Sequence, residues 1–340
     1  MVDVKRASIA AVLAAAGCIV SAKPTASAVD PGSTLAPALL PPAPKHIVIV
    51  FEENRDFDWI VNDKRLPAIH AMIDAGALFT HSHGVTHPSL PNYFAIFTGT
   101  TNSDGDHCSD KPIDAAGDLP ANAGLSIRMP TLASELVAAH LTFTGFAEGL
   151  PSPGYVGCYG KGGSFFSVYY KRHVPWAFFT KAGHPGEVAR DLDHHLLDDS
   201  VNQPFDAFPK PDHYDDLPTV AMVTPDVKDD MHGTPLGNTA AGLDASADAW
   251  IDRNIMPLVR WASDPKNGTL VILTWDEADR VSGRPDDNDI ATVFVGAMVR
   301  PGNDPEPITH YNVLATIEKF YGLPAMTDND KEAPIVGCWR

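Results

Sequence analysis

The sequence predicts an α/β fold with a mostly parallel central sheet and helices on both faces, and three observations predict it. His46-Ile47-Val48-Ile49-Val50-Phe51 and Thr269–Trp275 are apolar runs of strand length, as expected of strands covered on both sides. Strand-like and helix-like segments alternate along the chain. Polar turns follow the two strongest runs directly: Glu52-Glu53-Asn54-Arg55 after the first, Asp276-Glu277 after the other.

After the first strand, a helix is expected over 64–75, with Leu66, Ile69, Met72 and Ile73 on one face and Gly76 as its stop. Ala77-Leu78-Phe79-Thr80 reads as a short strand, and the apolar stretch from Tyr93 to Phe97 as a helix ending at Gly99. Residues 102–170 are rich in Gly, Pro, Ser and Asp, which predicts loops that carry ligand contacts. Within them lie a helix over 131–140 and a strand over 141–144. Strand Thr219–Val223, a long amphipathic helix from about Ser246 to Trp261, strand Thr269–Trp275, strand Ile290–Val295 and helix Tyr311–Tyr321 complete the series. No repeat or linker divides residues 45–340, so a single domain is expected there.

The N-terminus reads as an export signal over residues 1–28. Lys5 and Arg6 precede an apolar run from Ile9 to Val20, and the small-residue sites Val20-Ser21-Ala22 and Ala26-Ser27-Ala28 follow. A secreted or periplasmic location is therefore expected, with anchoring through Cys18 as the alternative. The run is too short for a membrane span, so no stable membrane insertion is expected. Residues 29–44, rich in Pro, Ala and Gly, predict a flexible lead-in. Beyond the signal stand Cys108, Cys158 and Cys338. In an oxidising compartment Cys108 and Cys158 could pair, leaving Cys338, although three bridges are possible. No CxxC spacing supports a cysteine metal site.

With 44% hydrophobic and 20% charged residues, a sizeable core is possible. The net charge of -18 speaks against nucleic acid as a partner. A small anion held through a cation and local His or Arg residues is compatible with that charge. Oligomeric state is not legible.

Glu53, Asn54, Asp276 and Glu277 are all oxygen donors at carboxyl ends of strands, where open parallel sheets form their ligand crevice. Their oxygens suit a divalent cation. Without one, bringing the two carboxylate turns together costs several kcal/mol of repulsion, roughly, at low effective dielectric. Ser89, between Pro88 and Pro91, opens the next helix; taken alone it reads as an N-cap, while the helix N-terminus also favours a bound anion. His81, His83 and His87 crowd before Ser89, and His173, His232 and His310 lie further on. A histidine can donate to anionic oxygens or protonate a leaving group. The pair His194-His195 reads as surface.

Phe51-Glu52-Glu53-Asn54-Arg55-Asp56-Phe57-Asp58 resembles the ENRSFD signature of a bacterial phosphoesterase family that includes acid phosphatases and phospholipases C. Thr86-His87-Pro88-Ser89-Leu90-Pro91-Asn92-Tyr93 resembles its nucleophile segment, and also the Thr-x-Pro-Asn turn of nucleotide pyrophosphatases. Tyr170-Lys171-Arg172-His173-Val174-Pro175, Thr224-Pro225-Asp226 through His232, Thr274-Trp275-Asp276-Glu277 and Thr309-His310-Tyr311-Asn312 resemble four further blocks, all in family order. Asp56, Gly233 and Asn312 depart from the usual residues without removing a site residue. The resemblance implies an alkaline phosphatase-like fold and one divalent metal ion (Mg, Ca, Mn or Zn) on Glu53, Asn54, Ser89, Asp276 and Glu277. It further implies Ser89 as nucleophile, with His232 or His173 as general acid. Asn54, His87 and His310 would then bind a small phosphate ester. The expected activity is phosphomonoester hydrolysis through a phosphoserine. The alternatives are a phospholipase C-like diesterase and a non-catalytic binding protein of the same fold.

Overall fold

The computed structural model describes residues 40–101, 108, 118–119, 122–126, 129–184, 195–234, 237–279, 287–326 and 331–340. The expected export signal, Cys18, most of the lead-in and His194 lie outside these residues.

Ten strands and eight helices are numbered in chain order. The strands are β1 (His46–Glu52), β2 (Ala77–His83), β3 (Asp118–Leu119), β4 (Asn122–Ser126), β5 (Phe143–Ala147), β6 (Asn202–Pro204), β7 (Val220–Thr224), β8 (Thr269–Trp275), β9 (Thr292–Val295) and β10 (Gly302–Thr309). The helices are α1 (Phe57–Asn62), α2 (Pro67–Ala75), α3 (Ser89–Thr98), α4 (Leu132–Ala138), α5 (Gly163–Phe166), α6 (Ala240–Asn254), α7 (Met256–Ala262) and α8 (His310–Tyr321). Eight strands form one sheet in the order β10-β2-β9-β8-β1-β7-β5-β6, and β3 pairs with β4 apart from it. The sheet is parallel except at β9, which runs antiparallel to both β2 and β8. β1 lies at its centre, parallel to β7 and β8.

Alternation along β1 decides which helices cover which face. Ile47, Ile49 and Phe51 join a core with Tyr93, Phe94 and Phe97 of α3 and Leu314 of α8. Val48 and Val50 join a second core with Met72 of α2, Trp250 of α6 and Leu258 of α7. Two covered faces explain why the stretches 47–51 of β1 and 270–273 of β8 carry no polar residue.

The expected helix over 246–261 is in fact two. α6 begins earlier, where the Thr239 side chain accepts from Gly242 N–H, and stops at Ile255. Pro257 then sits in the first turn of α7, where its missing N–H costs nothing. β6 and β10 were not foreseen. β10 carries Pro305 and Pro307, which its position at the sheet edge tolerates. The loop-rich middle contains several short 3₁₀ turns, among them Lys171–His173 and Pro175–Phe178. Cys108 and Cys158 are disulfide-bonded, and Cys338 is a buried free thiol.

Those two 3₁₀ turns are held against the sheet by Trp176. Its indole is fully buried, donates 2.8 Å to Asn202 Oδ1, and lies flat on the bare backbone of Gly145 in β5. A Cβ at position 145 would stand 2.0 Å from the indole. Gly145→Ala should therefore destabilise by about 1–3 kcal/mol and lower the thermal unfolding midpoint by a few degrees. An unchanged midpoint would refute the contact.

Candidate active site

β1 and β8 end side by side, and the residues that follow them turn toward each other. Asp276 N–H donates 3.0 Å to the Glu52 carbonyl, so the two strand ends leave the sheet together. Asn54 adopts a left-handed conformation with φ 51, uncommon for a residue with a side chain, and its N–H donates 3.1 Å to Asp276 Oδ1.

Ser89 is the first residue of α3, after a cis His87–Pro88 bond, and the N-cap position falls to Pro88. The N-cap reading of Ser89 is therefore corrected: its hydroxyl donates 3.0 Å to Glu53 Oε2 instead. One turn on, Tyr93 donates 2.7 Å to Glu53 Oε1, and Asn54 Nδ2 donates 2.7 Å to Oε2. Three donors thus fix a fully buried carboxylate. On the other side of the same helix turn, His87 Nδ1 lies 2.7 Å from Glu277 Oε2, and Asn92 Nδ2 lies 3.4 Å from it.

Asp276 completes the group. It is fully buried, and its Oδ2 has no hydrogen-bond partner. Burial first, then the Glu53 charge, pushes its pKa well above the usual carboxylate range. An orphaned buried oxygen facing a second buried carboxylate, a hydroxyl and an amide fits a hard divalent cation. Glu53 also offers one oxygen within 4.8 Å of ring nitrogens of both His173 and His232, a second trio able to hold an ion. Of the five expected ligands, Glu53, Asn54, Ser89 and Asp276 are joined by direct contacts, and Glu277 is reached through His87 and Asn92.

His173, almost fully buried, stacks on Tyr93 with ring centroids 5.7 Å apart. Its Nε2 is 3.3 Å from Glu53 Oε1 and its Nδ1 3.2 Å from Asp230 Oδ2. The latter pair lacks hydrogen-bond geometry, which leaves Asp230 Oδ2 without a donor. Burial, then Arg172, then His232 hold the His173 pKa well below its ordinary value. Arg172 spans the two histidines. Its Nε donates to His173 Nε2 at 3.2 Å, and its Nη2 faces His232 Nε2 at 2.9 Å. A guanidinium only donates, so the His232 proton sits on Nδ1, 2.9 Å from the Gly233 carbonyl.

His310 differs from its expected substrate contact. Its ring is 1% exposed and its Nε2 bonds the Asp276 carbonyl at 2.8 Å, so it supports the Asp276 backbone. Burial lowers its pKa to about 4. His81 and His83 fall in β2, and His195 is half-buried rather than surface. Arg172, Tyr93 and Asp230 were missed by sequence reasoning. All three lie inside the quoted motif blocks, but only their contacts reveal a role.

The sequence profile of the Phosphoesterase family matches residues 61–324, which takes in Ser89, His173, His232, Asp276 and Glu277. A phosphatidylinositol-3-phosphatase of Mycobacterium tuberculosis (strain ATCC 25618 / H37Rv) is 38% identical over 294 residues, covering 86% of this chain and 82% of that one. An acid phosphatase of Aspergillus fumigatus (strain ATCC MYA-4609 / CBS 101355 / FGSC A1100 / Af293) is 27% identical over 295 residues, covering 84% of this chain. A phosphate-repressible acid phosphatase of Penicillium chrysogenum is 26% identical over 285 residues, covering 82%. The chain spans only 57% and 59% of these two fungal proteins. Among solved structures, an alkaline phosphatase superfamily protein from Vibrio parahaemolyticus superposes with a TM-score of 0.55 at 14% identity, covering 88% of this chain and 72% of its own. The fold is that of the alkaline phosphatase superfamily, and the chain belongs to the Phosphoesterase family.

Proposed function

We propose that this phosphoric ester hydrolase is an exported phosphomonoesterase in which Ser89 displaces the alcohol from phosphorus. One observation carries the reading. The Ser89 hydroxyl is released from capping, sits 3.0 Å from buried Glu53, and adjoins Asp276, whose second oxygen has no partner.

The substrate phosphate lies over the first turn of α3, whose N–H groups favour negative charge. A divalent cation held by Glu53, Asn54, Ser89, Asp276 and Glu277 would lower the pKa of the serine hydroxyl and offset charge on the phosphoryl oxygens; Mg, Ca, Mn and Zn all suit the donors. The Ser89 proton leaves along its hydrogen bond to Glu53 as Oγ bonds to phosphorus and the bond from phosphorus to the alcohol oxygen breaks. Arg172 turns from the histidines to the phosphoryl oxygens, where a guanidinium is a strong donor. That frees His232 Nε2 to take up a proton and deliver it to the leaving alkoxide, with Nδ1 fixed on Gly233. His173, stacked on Tyr93, accepts from Arg172 Nε–H and so positions the guanidinium beside His232. Water then cleaves the phosphoserine and regenerates the hydroxyl.

The mycobacterial relative's name points to a phosphorylated inositol lipid as one candidate monoester, and the fungal names to a soluble one. Export rests on the N-terminal signal and is supported by the Cys108–Cys158 disulfide.

Ser89→Ala should cut kcat by about 10³-fold or more while circular dichroism and the unfolding midpoint stay unchanged. Near-normal turnover in that variant sinks the nucleophile assignment. The wild-type protein should cleave p-nitrophenyl phosphate faster than its bis ester, and the reverse order would favour a diesterase. EDTA should abolish activity and a divalent ion restore it; no activity in any metal would leave only a binding role.

Work in acid meets a limit at His310. Its neutral form is favoured in the fold, so its contribution is complete above pH 6.5 and is lost as pH falls toward about 4. That loss amounts to about 3 kcal/mol. Denaturant unfolding at pH 7 and pH 4 should show a smaller drop for His310→Asn than for wild type; equal drops would remove His310 from the account.

A further inference from the structure

The geometry points to a second hard-cation site, on the opposite side of β1 from Ser89, formed by Glu52, Glu148, Asp226 and Asp229. Glu52 ends β1, Glu148 directly follows β5, and Asp226 lies two residues past β7. These three strands are neighbours and parallel, so their carboxyl ends bring the side chains to one place. Glu148, Asp226 and Asp229 are half-buried and each offers an oxygen within 4.8 Å of the others.

Three half-exposed carboxylates alone would be an ordinary acidic surface. Glu52 changes that. It is fully buried, neither of its carboxylate oxygens has a hydrogen-bond partner, and its nearest charges include Asp229 and Glu148. The one cation beside it among the described residues, Arg55, is engaged by Asp244 at 2.8 Å and by the Asn54 carbonyl at 2.7 Å. A buried carboxylate left bare beside Asp229 and Glu148 has no ion-pair partner among the described residues, and the half-exposed rim gives an ion access from solvent.

The loop geometry suits such an ion. Glu148 N–H donates 3.0 Å to the Thr224 carbonyl, and Asp226 N–H donates 3.0 Å to Glu148 Oε2, locking the two strand ends together. The Ser246 hydroxyl holds Asp229 Oδ1 from α6. Four carboxylates, three of them on a half-exposed rim, select a hard divalent ion, Ca²⁺ above all, over softer metals. The site is also tied to the first one. Glu52 and Glu53 are consecutive, as are Asp229 and Asp230, and each pair sends one carboxylate to each site. An ion here would brace the turn over 226–230 that leads into His232.

The test uses the whole purified protein, freed of metal and dialysed against Ca²⁺, with bound calcium counted by elemental analysis. The wild type should hold two ions per chain. Glu148→Gln with Asp226→Asn should hold one, and should lose at least half of the Ca²⁺-dependent rise in unfolding midpoint. Asp276→Asn, which disables the first site, should keep one ion and the greater part of that rise. The milder single variant Asp226→Asn, at a half-exposed position, should weaken the second Kd at least tenfold if the double variant fails to fold. Second-site variants that bind as many ions as the wild type with unchanged Kd overturn the proposal.

Discussion

Glu53 is a carboxylate taken entirely out of water, and the arrangement of the site follows from the need to satisfy it. Ser89 and Tyr93 reach it from one helix and Asn54 from the adjoining turn. A buried charge with too few partners would neutralise or unfold its surroundings. Here two of the three donors come from α3, so the satisfied carboxylate also registers α3 against β1. Asp276 has no such set, and its bare oxygen leaves the group short of one positive charge. A divalent cation supplies that charge while turning the same atoms into a catalyst.

The sheet was legible because burial on both faces writes itself as unbroken apolar runs. β1 and β8 were read nearly to the residue, and their carboxylate-bearing ends were placed together by the rule that parallel sheets bind ligands at strand carboxyl ends. The strand order was not legible, since nothing local specifies that β9 inserts antiparallel between β2 and β8. β10 was missed for a physical reason: a Pro-rich edge strand lacks the apolar signature of a central one. The split between α6 and α7 was written in Ile255-Met256-Pro257, and an apolar periodicity carried across it hid the break.

The site was legible in its residue types more than in their tasks. Ser89 looked like a helix cap because serine at a helix start most often is one. The cap position belongs to Pro88, which has no side-chain acceptor, so the hydroxyl is turned to Glu53. His310 looked like a donor to substrate, yet burial and the Asp276 carbonyl give it a supporting place. Arg172 carried no separate signal beside His173 in the sequence, and only the folded turn shows it bridging two histidines.

That turn resolves an apparent conflict between an acidic chain and an anionic substrate. A net charge of -18 repels phosphate at long range, but screening confines that repulsion to about 10 Å in dilute salt. Close to phosphorus the local charges decide. Lys171 is buried with its ammonium 4.4 Å from the Phe178 ring, and Arg172 lies 4.5 Å over Tyr170. Each of these cations lies over an aromatic face, a favourable place for positive charge. Lys171 and Arg172 bring positive charge to a segment that Trp176 pins to Gly145 of the sheet. A cation at this distance matters more for a transition state than the sign of the whole molecule, because it acts unscreened where charge develops.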